Sequence, residues 1–184
     1  MKTAPSYRRR TIGTPVGTLR LVASGAGLAA VLWRDDFAKH LGRNAVVDDG
    51  DHPLLEETER QLREYFARTR TKFDLPFDLV GTEFQRSVWS ALLTIPYGET
   101  RTYAQIARQV GNPDAVRAVG AANGRNPISI IAPCHRVIGA SGALTGFGGG
   151  LDNKAFLLAL ESPQADLLTA PTARSRFQKF QNTA

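Results

Sequence analysis

The chain has 184 residues, 42% hydrophobic and 22% charged, a size that suits one ordinary domain or two small ones and a composition that argues against disorder. No apolar run approaches the roughly 20 residues that cross a bilayer, and the basic N-terminus is not followed by an apolar stretch, so neither a membrane span nor a secretory signal is expected and a cytoplasmic location is. A net charge of +6 permits a nucleic-acid partner without establishing one, while a single cysteine rules out an internal disulfide and a cysteine-based zinc site.

Alternating apolar residues and turn signals predict three short strands over 7–12, 18–23 and 28–33, an antiparallel meander. Residues 41–51 read as polar and irregular. His52-Pro53 then opens a helix in which Leu54, Leu55, Thr58, Leu62, Tyr65 and Phe66 recur at helical spacing, so it should cover one face of the meander. Residues 72–81 read as extended, with Pro76 barring a helix. They complete a first domain, expected over 1–81.

A second domain is expected over 82–163. Thr82 is placed to cap a helix marked by Phe84, Val88, Trp89, Leu92 and Leu93. Thr100 or Thr102 caps the next, which runs through Tyr103, Ile106, Ala107 and Val110 to a stop at Gly111. After the turn Asn112-Pro113-Asp114 comes a small-residue helix from Ala115 to about Asn123, completing the outline of a helix-turn-helix. Ala115, Ala118, Gly120, Ala121 and Ala122 leave that helix nearly bare, with Arg117 its long charged side chain. A bare helix suits close packing on another helix and close approach to a nucleic-acid groove equally well. Arg101, Arg117, Arg125 and Arg136 make the surrounding stretch cationic. The expected class is α/β (α+β): a small antiparallel sheet with a helix, then a mostly helical domain.

The chemistry concentrates after Asn126-Pro127. An apolar extended segment over 128–131, framed by prolines, leads to Cys134 and directly to His135. A thiolate is the nucleophile and an imidazole can help form it. Adjacent side chains diverge on regular structure, so a tight turn or a bridging water would be needed to couple them. A lone cysteine is more often a small buried hydrophobe, which makes its neighbours decisive. Residues 141–150 form a glycine-rich loop whose backbone N–H groups suit a phosphate or a base edge, at a spacing unlike a P-loop. A helix over 153–161 follows, with Phe156, Leu157, Leu158 and Leu160 for the core. The tail over 164–184 carries Arg174, Arg176 and Lys179, either as DNA contacts or as a flexible end.

Pro133-Cys134-His135-Arg136-Val137 resembles the active-site signature of the O6-alkylguanine-DNA alkyltransferases. The resemblance extends from about Thr82 to Glu161 and includes Pro96-Tyr97-Gly98-Glu99-Thr100, Thr102-Tyr103, Gly111-Asn112-Pro113, Arg117-Ala118-Val119-Gly120 and Asn126-Pro127. It implies repair of duplex DNA carrying O6-alkylguanine by stoichiometric, self-inactivating transfer of the alkyl group to Cys134, with no cofactor and no metal. In that reading His135 acts as base through a water, Glu161 orients His135, and Asn126 ties down the active-site turn. Tyr103 donates to the departing guanine. The carbonyls of Cys134 and Val137 and the Gly148 amide read the base edge, and Phe147 either contacts the alkyl group or base or plugs the core. Arg117 fills the stack left by the flipped nucleotide, on a DNA face with Ala118, Ala121 and Arg125. A monomer is expected, with cooperative loading on DNA left open. Many relatives have tyrosine at the place of Phe147, which puts substrate range in question. Two other classes compete: a helix-turn-helix regulator or lesion sensor without chemistry, for which Cys134 has no use, and a cysteine hydrolase, which leaves the cationic small-residue helix unexplained.

Overall fold

In a computed structural model that describes residues 6–162, strands β1 (Ser6–Thr14), β2 (Gly17–Ala23) and β3 (Leu28–Leu32) form the antiparallel meander. The tail over 164–184 lies outside the described residues. The stretch read as irregular is more ordered than its polarity implied. A short helix, α1 (Phe37–Leu41), leads into β4 (Val46–Asp49), which pairs in parallel with the start of β1 in a sheet ordered β3-β2-β1-β4. Two valines and an unpaired β1 edge suffice for this strand. Ion pairs of Arg8 with Asp48 and Arg9 with Asp49 run along the same pairing, so the aspartates that signal a loop in the sequence here neutralise neighbouring arginines.

Both faces of the sheet are covered. On one, Tyr7, Val22, Ala30 and Leu32 pack with Leu41 of α1. On the other, Leu19 and Leu21 meet helix α2 (Pro53–Phe66), whose buried stripe is Leu55, Thr58, Leu62, Tyr65 and Phe66. Strand β3 is accordingly apolar throughout, as expected of a strand buried on two faces.

The outer edge of β3 is also used. Leu28 donates its N–H to Pro76 O at 2.8 Å and accepts from Asp78 N at 3.0 Å, which docks the extended connection over 72–81 along the strand. One turn of pleat further on, Val31 donates to Pro127 O at 2.8 Å and accepts from Ser129 N at 3.2 Å. An edge that would otherwise expose unpaired amides instead holds both the connection and the approach to Cys134.

Helix α3 (Glu83–Leu93) begins at Thr82 with a reciprocal cap: Thr82 Oγ1 accepts from Gln85 N and Gln85 Oε1 from Thr82 N. Thr102, rather than Thr100, caps α4 (Tyr103–Gln109) in the same way with Gln105. Helix α5 (Val116–Asn123) follows and packs on α3, where Trp89 Nε1 donates to Ala122 O at 2.9 Å. A minimal parallel pair, β5 (Arg101–Thr102) and β6 (Val137–Ile138), ties α4 to the active-site turn. Helix α6 (Leu151–Glu161) starts two residues before the expected 153 because Gly150 takes the N-cap position. Residues on both sides of the expected boundary at 81 and 82, from Ile12 to Leu160, contribute to one buried cluster. Among the described residues no helix is long and apolar enough to cross a membrane.

A β-carbon at Gly27 would lie 2.8 Å from Phe77 C and 2.9 Å from Pro76 O, both backbone atoms. Gly27→Ala should therefore push the connection off β3 and cost about 1–3 kcal/mol, read as a lower urea midpoint. An unchanged midpoint would mean that this contact does not hold the connection in solution.

Candidate active site and nucleic-acid interface

Cys134 is positioned by a short, heavily cross-bonded path. Asn126 accepts from Ile128 N through Oδ1 at 3.1 Å and donates through Nδ2 to Ala132 O at 2.7 Å, both buried. Ala132 N reaches back to Ile128 O at 2.9 Å. The segment over 128–131 is thus a tight turn carrying isolated bridges, not a full strand. Ile130 sits at φ 74°, a left-handed conformation that a β-branched residue adopts only under restraint, at a cost of about 1–3 kcal/mol. The prolines, Asn126 and the β3 edge supply that restraint. Cys134 then opens one turn of 3-10 helix, Cys134–Arg136, which sends successive side chains to different partners.

Those partners converge on Glu161, whose residue is 2% exposed at the end of α6. Its Oε1 accepts from Tyr65 Oη at 2.6 Å and Arg136 Nη2 at 2.9 Å, and lies 2.8 Å from His135 Nε2. Its Oε2 accepts from Arg136 Nε at 2.7 Å and from Gly98 N at 3.4 Å. Burial alone would raise the carboxyl pKa, but hydrogen bonds from His135 and Arg136, with their charge, override it and hold it down at about 2. Gly98 is required here: at φ 80°, a β-carbon would lie 2.9 Å from Glu161 O.

His135 is fully buried, and burial pushes its pKa below the ordinary imidazole value despite the Glu161 charge. With Nε2 against an ionised carboxylate, the ring proton belongs on Nε2. Nδ1 then presents a lone pair, and it has no protein partner among the described residues. The Cys134 thiol is pushed up by burial, an effect offset in part by the Asn126 amide, the positive charge of Lys154 and the backbone amides of Cys134 and Ile130. Lys154 is itself fully buried, donating to Val137 O at 2.6 Å and Thr145 O at 2.8 Å. It both fixes the glycine-rich loop against the active-site turn and places a cation near the sulfur.

The other expected residues surround this centre. Val137 is buried, its carbonyl already accepting from Lys154 with one lone pair left over. Tyr103, at the start of α4, is half-buried and points its hydroxyl toward Thr145 O, 3.5 Å away. Phe147 is half-buried beside the site, its ring edge-on to Trp33 at 5.5 Å and to His135 at 6.4 Å. Gly148 and Cys134 line a cavity of about 190 Å³.

Helix α5 answers the question its bareness posed. Val119, Ala122 and Asn123 are buried against the core, while Arg117, Ala118 and Ala121, with Arg125 just beyond, are exposed along the opposite side. One small-residue helix thus packs closely and also offers a low, cationic ridge. Arg136 does not belong to that ridge. It is buried on Glu161, donates to Ile95 O at 2.5 Å and lies over the Tyr97 ring. Tyr65, Lys154, Trp33 and the inward role of Arg136 were not singled out from the sequence. Tyr65 reads there as an ordinary core position of α2, and Lys154 belongs to no motif.

The chain matches two family models, the 6-O-methylguanine DNA methyltransferase, ribonuclease-like domain over residues 7–79 and the 6-O-methylguanine DNA methyltransferase, DNA binding domain over residues 83–163. It is 51% identical over 156 residues to a methylated-DNA–protein-cysteine methyltransferase of Mycobacterium bovis, covering 85% of this chain and 93% of that one. A methylated-DNA–protein-cysteine methyltransferase of Methanosarcina acetivorans is 51% identical over 150 residues, covering 80% and 94%. Among solved structures it resembles Mycobacterium tuberculosis OGT in complex with DNA, at 48% identity and a TM-score of 0.76, covering 94% of this chain and 99% of that one.

The buried carboxylate has a direct consequence for stability. A folded-state pKa held below the unfolded value contributes stability that is complete above the unfolded pKa, about 4.5, and is lost as pH falls toward about 2. Glu161→Gln leaves Arg136 buried without its counter-charge and should cost about 3–5 kcal/mol at neutral pH. The gap between the two proteins, measured by urea unfolding, should narrow below about pH 4.5. A gap independent of pH would show that the glutamate is not ionised in the folded state.

Proposed function

The chain belongs to the 6-O-methylguanine DNA methyltransferase family and repairs alkylated DNA by direct transfer of the alkyl group to a protein cysteine, and from that premise we propose that Cys134 is the acceptor and O6-alkylguanine in duplex DNA the substrate. The observation that supports this most strongly is the polarity built around the sulfur. The imidazole beside it in sequence has its Nε2 committed to Glu161 and its Nδ1 lone pair uncommitted.

In the proposed reaction a water carries the thiol proton to His135 Nδ1, leaving a thiolate favoured by the nearby Lys154 cation. The sulfur attacks the alkyl carbon. A Cys134 Sγ–C bond forms as the C–O6 bond breaks, the electron pair passes to the guanine, and Tyr103 supplies a proton or hydrogen bond to its ring. Asn126 holds the turn that presents the sulfur. The remaining Val137 lone pair, the Cys134 carbonyl and the Gly148 amide meet the base edge, with Phe147 at the rim. The product is a thioether, and the chain has no second cysteine to displace the alkyl group. One protein therefore repairs one lesion.

The reacting carbon is inaccessible in a stacked duplex, so the base must leave it, at a cost of a few kcal/mol. The exposed ridge of α5 suits this. Ala118 and Ala121 allow close approach, Arg117 takes the gap in the stack, and Arg125 meets the backbone. The protein acts as a monomer in the cytoplasm.

Incubation with duplex DNA carrying one O6-methylguanine, followed by peptide mass mapping, should place one methyl group on Cys134 and saturate at one per protein. Binding without transfer would instead mean a lesion sensor. Arg117→Ala should slow transfer from a duplex by about 10- to 100-fold, the kinetic equivalent of about 1–3 kcal/mol, and far less from a single strand. Equal slowing on both would place Arg117 outside base extrusion. Lys154→Met removes a charge that lowers the Cys134 pKa, so the alkaline rise of the transfer rate should move to higher pH and the neutral rate should fall by about tenfold per pKa unit. A fall in rate without displacement of the pH profile would assign Lys154 to loop positioning alone.

A further inference from the structure

The loop over 144–149 carries Phe147 and Gly148, and glycines at 146, 148, 149 and 150 give its backbone wide conformational freedom. What holds it in one place therefore comes from outside. Thr145 O accepts from Lys154 Nζ at 2.8 Å, Phe147 O from Gly150 N at 3.0 Å, and Gly149 O from Asn153 Nδ2 at 2.9 Å. Among the described residues none of the N–H groups of 144–149 donates a backbone hydrogen bond. The loop is thus held by its carbonyls, which leaves its amides for a ligand, and Gly148 is exposed.

Two of the restraints reach into the first half of the chain. Asn153 Nδ2 also donates to Val16 O at 2.9 Å, so one side-chain amide joins Gly149 to the turn between β1 and β2. Trp33, immediately after β3, lays its indole against the loop. A β-carbon at Gly148 would lie 3.7 Å from Trp33 Cδ1, an ordinary contact. One at Gly149 would lie 2.6 Å from Cε2 and 2.7 Å from Cζ2, an overlap with the rigid ring. Phe147 stands edge-on to the same indole at 5.5 Å between centroids. One ring from the sheet therefore meets three consecutive loop residues. Gly149 has no positive φ, so the closeness of the indole, not the backbone conformation, is what calls for glycine there.

We propose that Trp33 and Asn153 are positioning residues for base recognition. Through the indole and the Val16–Asn153–Gly149 bridge, the sheet sets where the Gly148 amide and the Phe147 ring meet the extruded base. The inference rests on the alkyl-transfer reading above and deepens it, since it gives the first half of the chain a part in reading the lesion. Both residues act through the loop and not on the sulfur. Lys154 keeps its bond to Val137 O when the loop loosens, so the cation that favours the thiolate stays in place. The transfer step is unchanged: the Sγ–C bond forms as the C–O6 bond breaks.

Three measurements on the full-length protein separate this role from a general loss of structure. The first is single-turnover transfer from a duplex carrying one O6-methylguanine. The second is methylation of Cys134 by methyl iodide, in which the thiolate displaces iodide and no base is read. The third is binding of an undamaged duplex. Trp33→Leu and Asn153→Ala should each slow transfer by about tenfold, as expected when a group that orients the substrate is displaced, and leave the other two within about twofold. Trp33→Phe, which keeps a ring against the loop, should retain more transfer than Trp33→Leu. Gly149→Ala should slow transfer in the otherwise unaltered protein and have little further effect once Trp33→Leu has removed the indole. Normal transfer by Trp33→Leu and Asn153→Ala would overturn the proposal, and so would a parallel fall in all three measurements. An equal effect of Gly149→Ala with and without the indole would overturn it as well. An unaltered protein that reacts with methyl iodide but takes no methyl group from the duplex would instead remove the alkyl-transfer reading, and this proposal with it.

Discussion

The buried carboxylate of Glu161 is the point on which the rest depends. An ion taken out of water is tolerated only when its charge and lone pairs are matched. Here the matching groups come from both halves of the chain: Tyr65 from the helix that covers the sheet, Gly98 from the loop after α3, and His135 and Arg136 from the turn that carries Cys134. One group therefore does two things at once. It locks the two halves of the chain together at the active-site turn, and it sets which imidazole nitrogen is available for proton transfer.

The second constraint is the edge of β3. Backbone bonds from Leu28 and Val31 hold the connection over 72–81 and the approach to Cys134 as if they were further strands. The left-handed Ile130 between Asn126 and Cys134 is the strained consequence. Sheet and helices are thus not merely neighbours. The sheet sets the height at which the sulfur sits, and Trp33, immediately after β3, extends it to the wall of the cavity beside that sulfur.

Where local chemistry decides the structure, the sequence reads directly. Thr82 with Gln85, and Thr102 with Gln105, announce helix starts because the capping bonds lie within four residues. The covered face of α2 is likewise explicit in its apolar spacing. Residues 37–49 are harder, since α1 and β4 owe their order to packing and to an edge supplied by β1, and their polar composition hides both. The site divides in the same way. Cys134, His135 and Asn126 lie within ten residues and stand out as a motif. The partners Tyr65 and Lys154 are distant, and nothing in a helical Tyr or Lys distinguishes a group aimed at a buried carboxylate or carbonyl from one that packs or faces solvent. Arg136 shows the limit of charge counting, because it enters the sequence as part of a cationic stretch and is spent inside on Glu161.

Cavity and centre are coupled through the same few residues. Lys154 holds Val137 and Thr145, and so fixes the loop that carries Phe147 and Gly148. Phe147 in turn stands edge-on to both His135 and Trp33. The orientation of His135 is the feature in which these contacts meet, and nitrogen-15 NMR of its imidazole reads that orientation most directly. A neutral ring with its proton on Nε2, favoured because burial lowers the pKa and Glu161 fixes the tautomer, is the expected result. A charged ring, or a neutral one with its proton on Nδ1, would contradict the assignment of His135 as the base.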